Sequence, residues 1–169
     1  MNPADYRLGE TEAQLELHSA ADTHAVALEL FRQARREILI MSYDLEPLVL
    51  SHEDIVEALS GLVRKGRHAH ARILVQNSDK AVKHGHRLIP LAHRLSSSIK
   101  FNRPGYEHRD FNEAFMVVDG IGFIKRQLAD RFEGVASFKS PIEGRDLRAL
   151  FLSMWERSEP DPQLRRLQI

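Results

Sequence analysis

The chain has 169 residues, 43% of them hydrophobic and 28% charged, and its 24 basic residues balance its 24 acidic ones. These values are typical of one globular domain with a sizeable core. The absence of cysteine excludes disulfides, thiolate metal sites and cysteine nucleophiles. With no run of about 18 apolar residues and no basic-then-apolar leader after Met1, we predict a cytoplasmic protein without membrane insertion.

The charge is unevenly distributed along the chain. Residues 1–63 contain 4 Lys or Arg against 12 Asp or Glu, a net charge of −8, whereas residues 64–109 contain 11 against 2, a net charge of +9. The central segment also holds six of the nine histidines. This pattern is typical either of an anion-binding surface or of a basic face that pairs with an acidic one within the chain or across a dimer.

The hydrophobic pattern predicts alternating strands and helices up to residue 102. After a flexible N-terminus over residues 1–13, the predicted elements are a strand over 14–18, a helix over 20–36, a fully covered strand over 37–43 and a helix from an N-cap at Ser51 to Lys65. A strand over 71–75, a turn at 77–79, a helix from there to about 96 and a short strand over 99–102 follow. Pro90 is expected to make the last helix irregular or to delay its start.

The second half of the chain predicts adjacent strands and one long helix. Strands are expected over 114–118, 121–125 and 133–138, and Asp119-Gly120 suits a tight hairpin between the first two. A helix follows over 143–158, and residues 159–169 are expected to form a C-terminal tail. We therefore predict an α/β fold with a mixed β-sheet and helices on both faces.

The stretch from Asn112 to Gly120 resembles the signature strand of the phospholipase D superfamily. In that family a His-x-Lys-x-x-x-x-Asp motif is followed by glycine. Here Asn112 stands at the His position and Ala114 at the Lys position, whereas Asp119 and Gly120 match. The family also tends to end on a helix with an aromatic residue and a Trp four apart, as Phe151 and Trp155 are. The resemblance covers residues 14–158 and implies a phospholipase D-like single half-domain.

The same resemblance implies that the usual chemistry is missing. In the family the motif His attacks phosphorus, a second motif His protonates the leaving group, and the Lys residues neutralise the phosphate oxygens. Asn112 has no basic nitrogen and Ala114 has no charge, and loss of such a nucleophile costs roughly a millionfold in rate. We predict a degenerate pseudoenzyme without cofactor or metal, and a homodimer, because single-motif members pair so that their motif strands meet.

Asp119 and His108 allow two interpretations each. Asp119 is either a turn residue that bonds backbone N–H groups or part of a remnant cleft with Asn112 and Glu113. His108 is either an exposed loop residue or the base of an active phosphodiesterase or nuclease. A histidine-bound metal is the other route to that activity, from pairs such as His68 and His70, or from His84, His86 and His93.

A cluster of basic side chains follows Asp79 and predicts an anion site. Its members are Lys80, Lys83, His84, His86 and Arg87. The expected ligand is a phosphate-containing molecule, a nucleic-acid backbone or a protein partner, without base stacking, because no aromatic residue lies between Tyr43 and Phe101. A dimerisation module with no small ligand is the remaining alternative.

Overall fold

A mixed β-sheet forms the centre of the computed structural model, which describes residues 2–165. Its strands are β1 (Gln14–Leu17), β2 (Glu37–Ser42), β3 (His70–Val75), β4 (Ile99–Arg103), β5 (Ala114–Val118), β6 (Gly122–Arg126), β7 (Gly134–Ser137) and β8 (Glu159–Pro160). Their spatial order is β1-β7-β6-β5-β2-β3-β4-β8. The helices are α1 (Ala20–Gln33), α2 (Pro47–Leu50), α3 (Glu53–Arg64), α4 (Asp79–Lys83), α5 (Leu88–Arg94), α6 (Pro141–Glu156) and α7 (Pro162–Arg165).

The strand directions define two opposite edges of the sheet. Strands β2, β3 and β4 are parallel, and β5 pairs antiparallel with β2. We call the edge where β2, β3 and β4 end the carboxyl edge, and the edge where they begin the amino edge. Strand β5 therefore starts at the carboxyl edge and ends at the amino edge.

Strand β2 is central because both of its faces are covered. Ile38 and Ile40 face the core beneath α1, α3 and α5, whereas Leu39 and Met41 face a second core beneath α6. Side chains of a strand alternate between faces, so a continuous apolar run requires cover on both sides. The predicted α/β class, the mixed sheet and the helices on both faces are confirmed.

Two predicted helix boundaries are wrong. Ser51 is not the N-cap of α3, because the short helix α2 precedes it and its Oγ accepts a hydrogen bond from the backbone N–H of Arg87 instead. The single helix expected between the turn at 77–79 and residue 96 is two helices, since Gly85 has a φ of 67° and interrupts it. Pro90 lies in the first turn of α5, where a missing N–H costs little.

The segments at both ends of the described chain contact the sheet or its helices. Residues Pro3–Asp5 form a 3₁₀ turn, and the ring of Tyr6 stacks on Phe138 with 5.6 Å between centroids. Near the other end, Glu159–Pro160 pairs with β4, and Leu164 is buried. The domain boundaries at residues 13 and 158 stay predictions. None of the helices within residues 2–165 is long and apolar enough to cross a membrane.

The turn between β5 and β6 is built for close packing. Asp119 and Gly120 both have positive φ, of 53° and 69°, as in the tight turns that favour Asp-Gly. Helix α6 approaches this turn so closely that a Cβ on Gly144 would lie 2.4 Å from the carbonyl oxygen of Gly120. Glycine at position 144 thus allows the contact between α6 and the turn.

Candidate functional site

Asn112 and Ala114, at the start of β5, have uncharged side chains. Asn112 is exposed, and its backbone carbonyl oxygen accepts a hydrogen bond from the backbone N–H of Ala129 over 2.7 Å. Ala114 is 2% exposed and lies directly opposite Arg126 of β6. In the strand register, the cation nearest to Ala114, which stands where the phospholipase D motif has Lys, is therefore Arg126.

Arg126 is already neutralised inside the chain. Its guanidinium donates a hydrogen bond to the carboxylate of Glu46, and both side chains are buried. A second guanidinium nitrogen donates to the carbonyl oxygen of Arg131 over 2.8 Å. A cation held by an internal carboxylate and a carbonyl is not free to bind a substrate phosphate at the carboxyl edge.

The loop that carries Glu46 is held in an unusual backbone conformation. Leu45 and Glu46 have φ values of 67° and 38°, a region that side chains other than glycine rarely adopt. Nε2 of His86 lies 2.9 Å from the carbonyl oxygen of Leu45, and Nδ1 of His86 accepts from the backbone N–H of Leu88. His86 is thus the neutral Nε2–H tautomer that fixes this loop, and burial lowers its pKa to about 4.

Burial of Glu46 affects its own ionisation. Burial raises the pKa of Glu46, and the neighbouring Arg126 guanidinium and Ser42 hydroxyl oppose that shift. Within the described residues, Oε2 of Glu46 has no hydrogen-bond partner. The pair is therefore a buried ion pair, not a surface one.

Asp119 lies at the opposite edge of the sheet from Asn112. Its carboxylate accepts hydrogen bonds from the backbone N–H groups of Arg35, Arg36 and Glu37, over 2.9, 2.8 and 2.9 Å. It thereby fixes the connection from α1 to β2. The remnant cleft of Asn112, Glu113 and Asp119 is not formed, because β5 separates Asn112 from Asp119 by its full length.

The amino edge holds a basic pocket of about 740 Å³. We call it the amino-edge pocket; its charged or titratable lining residues are Arg35, Arg36, Arg67, Arg148, His68, His70, Glu37 and Asp119. Four arginines thus face two carboxylates. The carboxylate of Asp119 is satisfied by backbone N–H groups, as described above. A neighbouring groove adds Arg7 and Arg32, so the positive surface continues beyond the pocket.

Glu37 is the second carboxylate, and it is held by two cationic groups. Arg148 donates to it from Nε over 2.6 Å and from a terminal nitrogen over 3.4 Å, and Nε2 of His70 lies 3.2 Å away. Burial opposes ionisation, but the nearby imidazole of His70 and the hydrogen bonds from Arg148 outweigh it and lower the pKa of Glu37 to about 2. Glu37 therefore stays ionised and cancels only part of the pocket's positive charge.

His70 is matched to its protonated form. Nδ1 faces the carbonyl oxygen of His68 at 2.8 Å, while Nε2 faces the carboxylate of Glu37. Since both nitrogens face acceptors, the imidazolium suits the geometry better than either neutral tautomer. The adjacent carboxylate of Glu37 accordingly raises the pKa of His70.

Comparison with known families and structures places this geometry in context. The model of a domain of unknown function, DUF7931, matches residues 19–167. The chain belongs to the DUF7931 family. A comparison with curated proteins finds no similar sequence.

Solved structures identify the fold of this DUF7931 domain. It superposes on TrmBL2, an archaeal chromatin protein, with a TM-score of 0.63 at 16% identity, covering 89% of this chain and 54% of that one. It matches Nuc, a phospholipase D family member from Salmonella typhimurium, with a TM-score of 0.58 at 12% identity, over 87% of this chain and 97% of that one. For NucT from Helicobacter pylori the TM-score is 0.61 at 11% identity, over 88% and 99%. The fold is therefore phospholipase D-like, and the chain spans about half the length of TrmBL2.

The sequence-predicted anion residues of the DUF7931 domain do not share one surface. His86 is 3% exposed and bonded on both ring nitrogens, so it cannot reach an anion at the surface. Lys80, Lys83 and His84 are exposed, and Arg87 forms an ion pair with Glu53 over 3.4 Å. The four exposed residues stay a prediction as anion ligands.

The remaining histidine candidates are separated in the fold. His108 lies in the 3₁₀ turn Tyr106–His108, before β5, and within the described residues its Nδ1 is buried without a partner. Nε2 of His93 hydrogen-bonds the backbone carbonyl oxygen of Leu164 over 2.7 Å. His84 is exposed. His68 and His70 remain together, at the amino edge.

Sequence reasoning missed the arginines of the amino-edge pocket. They come from three distant segments, around residues 35, 67 and 148. The sequence signal that could have indicated this pocket is the adjacent pair Arg35-Arg36 directly before an apolar strand. Only the strand order brings Arg148 of α6 to the same edge.

Proposed function

We propose that this domain is a catalytically degenerate, non-enzymatic phospholipase D-like module that binds a nucleic-acid backbone through the amino-edge pocket. The observation that carries the proposal is the set of four arginines around two carboxylates that are already satisfied within the chain. Guanidinium groups suit phosphate because they donate parallel hydrogen bonds to its oxygens. DNA binding by TrmBL2, a protein of similar fold, supports this choice of ligand.

Arg35 and Arg67 are the residues best placed to contact a phosphate. Both are exposed. Among the described lining residues, the ion pairs of the pocket join Glu37 to Arg148 and to His70. A phosphate bound there would therefore meet two uncommitted guanidinium groups, with His68 and His70 beside them.

The carboxyl edge supports the non-enzymatic part of the proposal. Asn112 offers no nucleophilic nitrogen, Ala114 is buried, and Arg126 is bound by Glu46. Binding and the usual catalytic position are thus at opposite edges of the sheet. The alternative of an active phosphodiesterase that uses His108 is tested in the same experiment.

A cytoplasmic homodimer completes the proposal. Four large apolar side chains, Tyr43, Leu48, Tyr106 and Leu128, are between 41% and 80% exposed, and all follow or precede strands at the carboxyl edge. Burial of such side chains against a second copy would remove apolar surface from water. This arrangement leaves both amino-edge pockets open to ligand.

Fluorescence anisotropy with labelled duplex DNA and single-stranded RNA tests the proposed binding. We would measure affinity at about 50 and 200 mM salt, a range over which phosphate contacts weaken strongly. Arg35→Gln/Arg67→Gln is compared with Lys80→Gln/Lys83→Gln, which removes the same charge from the sequence-predicted site. We expect the first variant to bind about tenfold more weakly and its slope of log K against log salt concentration to fall by about two phosphate contacts, whereas the second variant stays close to wild type.

The opposite ranking of the two double variants would move the site to α4. Equal affinities for all three proteins would overturn the proposed interface. The same samples, incubated with Mg²⁺ and separated on a gel, test catalysis. Cleavage that disappears with His108→Ala would replace the non-enzymatic proposal by a phosphodiesterase or nuclease.

A further inference from the structure

His24, His52 and Asp54 converge between α1 and the start of α3. Nε2 of His24 lies 3.0 Å from Oδ1 of Asp54, and the two imidazole centroids are 4.1 Å apart. One potential ligand atom from each residue lies within 4.8 Å of the other two. All three side chains are half-buried, so the cluster is supported by its surroundings yet open to solvent.

The orientation of His52 leaves one nitrogen for a ligand role. Its Nε2 lies 2.8 Å from the carbonyl oxygen of Leu48 and donates to it, so the lone pair is on Nδ1. Histidines that bind metals commonly donate their other ring N–H to a carbonyl or carboxylate, which fixes the tautomer and the ring orientation. The His52–Leu48 bond has this form.

The dimensions of the cluster suit a small transition-metal ion. Bonds of about 2.0–2.1 Å in a tetrahedral zinc site place neighbouring ligand atoms about 3.3 Å apart. The His24–Asp54 separation of 3.0 Å is close to that value, and the other ligand atoms lie within 4.8 Å, so binding would require the three side chains to close around the ion. Two imidazoles and one carboxylate are also a donor set that Zn²⁺ accepts.

The three residues come from two elements that pack side by side. Helix α1 supplies His24, whereas His52 and Asp54 lie at the N-terminus of α3. The other ends of these helices are joined by Lys65, whose Nζ donates to the carbonyl oxygens of Arg32 and Ala34 over 2.9 and 2.6 Å. A metal at the His24 end would therefore close the second end of this helix pair.

We propose that His24, His52 and Asp54 form a binding site for a divalent transition metal of the Zn²⁺ class, with water completing the coordination. The site ties α1 to α3 and is separate from the amino-edge pocket. Its role is structural, because its ligands come from both helices of the pair.

Metal titration of the full chain after chelator treatment tests the site. Isothermal titration with Zn²⁺ and visible spectroscopy with Co²⁺ are applied to wild type, His24→Ala, His52→Ala and Asp54→Asn. His18→Ala is the matched control, because His18 is an exposed histidine 3.9 Å from a carboxylate of Glu16 and outside the cluster. We expect one ion per chain, the d–d absorption of four-coordinate Co²⁺, and a Kd at least about tenfold weaker in each cluster variant.

A second readout separates a metal site from an ordinary His–Asp ion pair. At Zn²⁺ about 100-fold above Kd, wild type and His18→Ala are expected to gain about 5 °C or more in Tm, and the cluster variants are not. Tm without metal checks that each variant is folded. Absence of saturable binding in wild type, or equal affinity in wild type and His24→Ala, would overturn the proposal.

Discussion

The backbone N–H of Glu37 donates to Oδ1 of Asp119, and the backbone N–H of Asp119 donates to the carbonyl oxygen of Glu37, each over 2.9 Å. This reciprocal pair joins the start of β2 to the end of β5 at the amino edge. Asp119, which matches the Asp of the signature strand, thus has a structural function that does not require the motif His and Lys. Glu37 and Asp119 both line the amino-edge pocket.

Removal of the Asp119 carboxylate is expected to destabilise the fold. Asp119→Ala leaves three N–H groups without their acceptor and places alanine at a φ of 53°, so we expect a loss of about 2–4 kcal/mol in the free energy of unfolding. Asp119→Asn keeps one acceptor oxygen and should lose less. Urea unfolding measures both. Asp110→Ala, at an exposed loop position, is the control, and equal losses for positions 110 and 119 would contradict the assignment.

The Glu37–His70 pair predicts a stability maximum in mildly acidic solution. Glu37 has its pKa lowered from 4.5 to about 2, so its contribution is present above pH 4.5 and is lost as pH falls toward 2. His70 has its pKa raised from 6.5, so its contribution is present below pH 6.5 and is lost as pH rises through the folded value. The combined stabilisation is therefore largest between these limits.

Glu37→Gln should remove this pH dependence. We expect the variant to be about 1–2 kcal/mol less stable than wild type near pH 5.5, after allowance for the partial exposure of Arg148, and the difference to shrink toward pH 2. Urea unfolding across pH measures the difference. Proton NMR of His70, assigned with His70→Gln, should show a lower pKa in Glu37→Gln. An unchanged His70 titration would count against the ion pair.

Removing one partner of the buried Glu46–Arg126 pair should lower the free energy of unfolding more than removing both. Arg126→Met or Glu46→Met leaves one charge buried alone, and we expect about 3–5 kcal/mol of destabilisation for each. The double variant removes both charges and should lose less than either single one. A double-mutant cycle from urea unfolding gives the coupling energy. Additive losses would mean that the two side chains do not interact.

The missing motif Lys should not be restorable by one substitution. Ala114→Lys places a second cation directly opposite Arg126 in a buried position, and we expect a loss of about 3 kcal/mol or more. Ala149→Lys on the exposed side of α6 is the control. Asn112→His should fold but not hydrolyse bis(p-nitrophenyl) phosphate. Turnover by Asn112→His/Ala114→Lys would show that the catalytic cleft is intact after all.

The proposed dimer is tested by its mass. Light scattering of wild type should give twice the monomer mass of 19.4 kDa. Tyr106→Glu/Leu128→Glu adds charge to the carboxyl edge and should yield monomers. Ile142→Glu is a matched control, because Ile142 is 74% exposed and lies beyond β7 at the amino edge. A monomeric wild type at micromolar concentration would exclude the homodimer.

The sequence by itself determined most of the strands, the long helices and the turn after β5. The run from Ile38 to Met41 predicts a strand covered on both faces, because alternate side chains of a strand face opposite layers. Asp119-Gly120 predicts a tight turn, because both residues tolerate positive φ. The resemblance of residues 112–120 to the phospholipase D signature strand implies that Asn112 and Ala114 stand where that family has His and Lys. Each of these inferences depends on neighbours within a few residues.

Only the tertiary structure decided which charged side chains meet. Glu46 and Arg126 are 80 positions apart, and Arg148 reaches Glu37 across 111 positions. Such pairs depend on strand order and register, which the local hydrophobic pattern does not encode. The +9 segment contributes only Arg67 to the arginines of the amino-edge pocket, because folding buries His86 and brings Arg35, Arg36 and Arg148 from the other parts of the chain. The position of the positive surface is therefore a property of the assembled sheet.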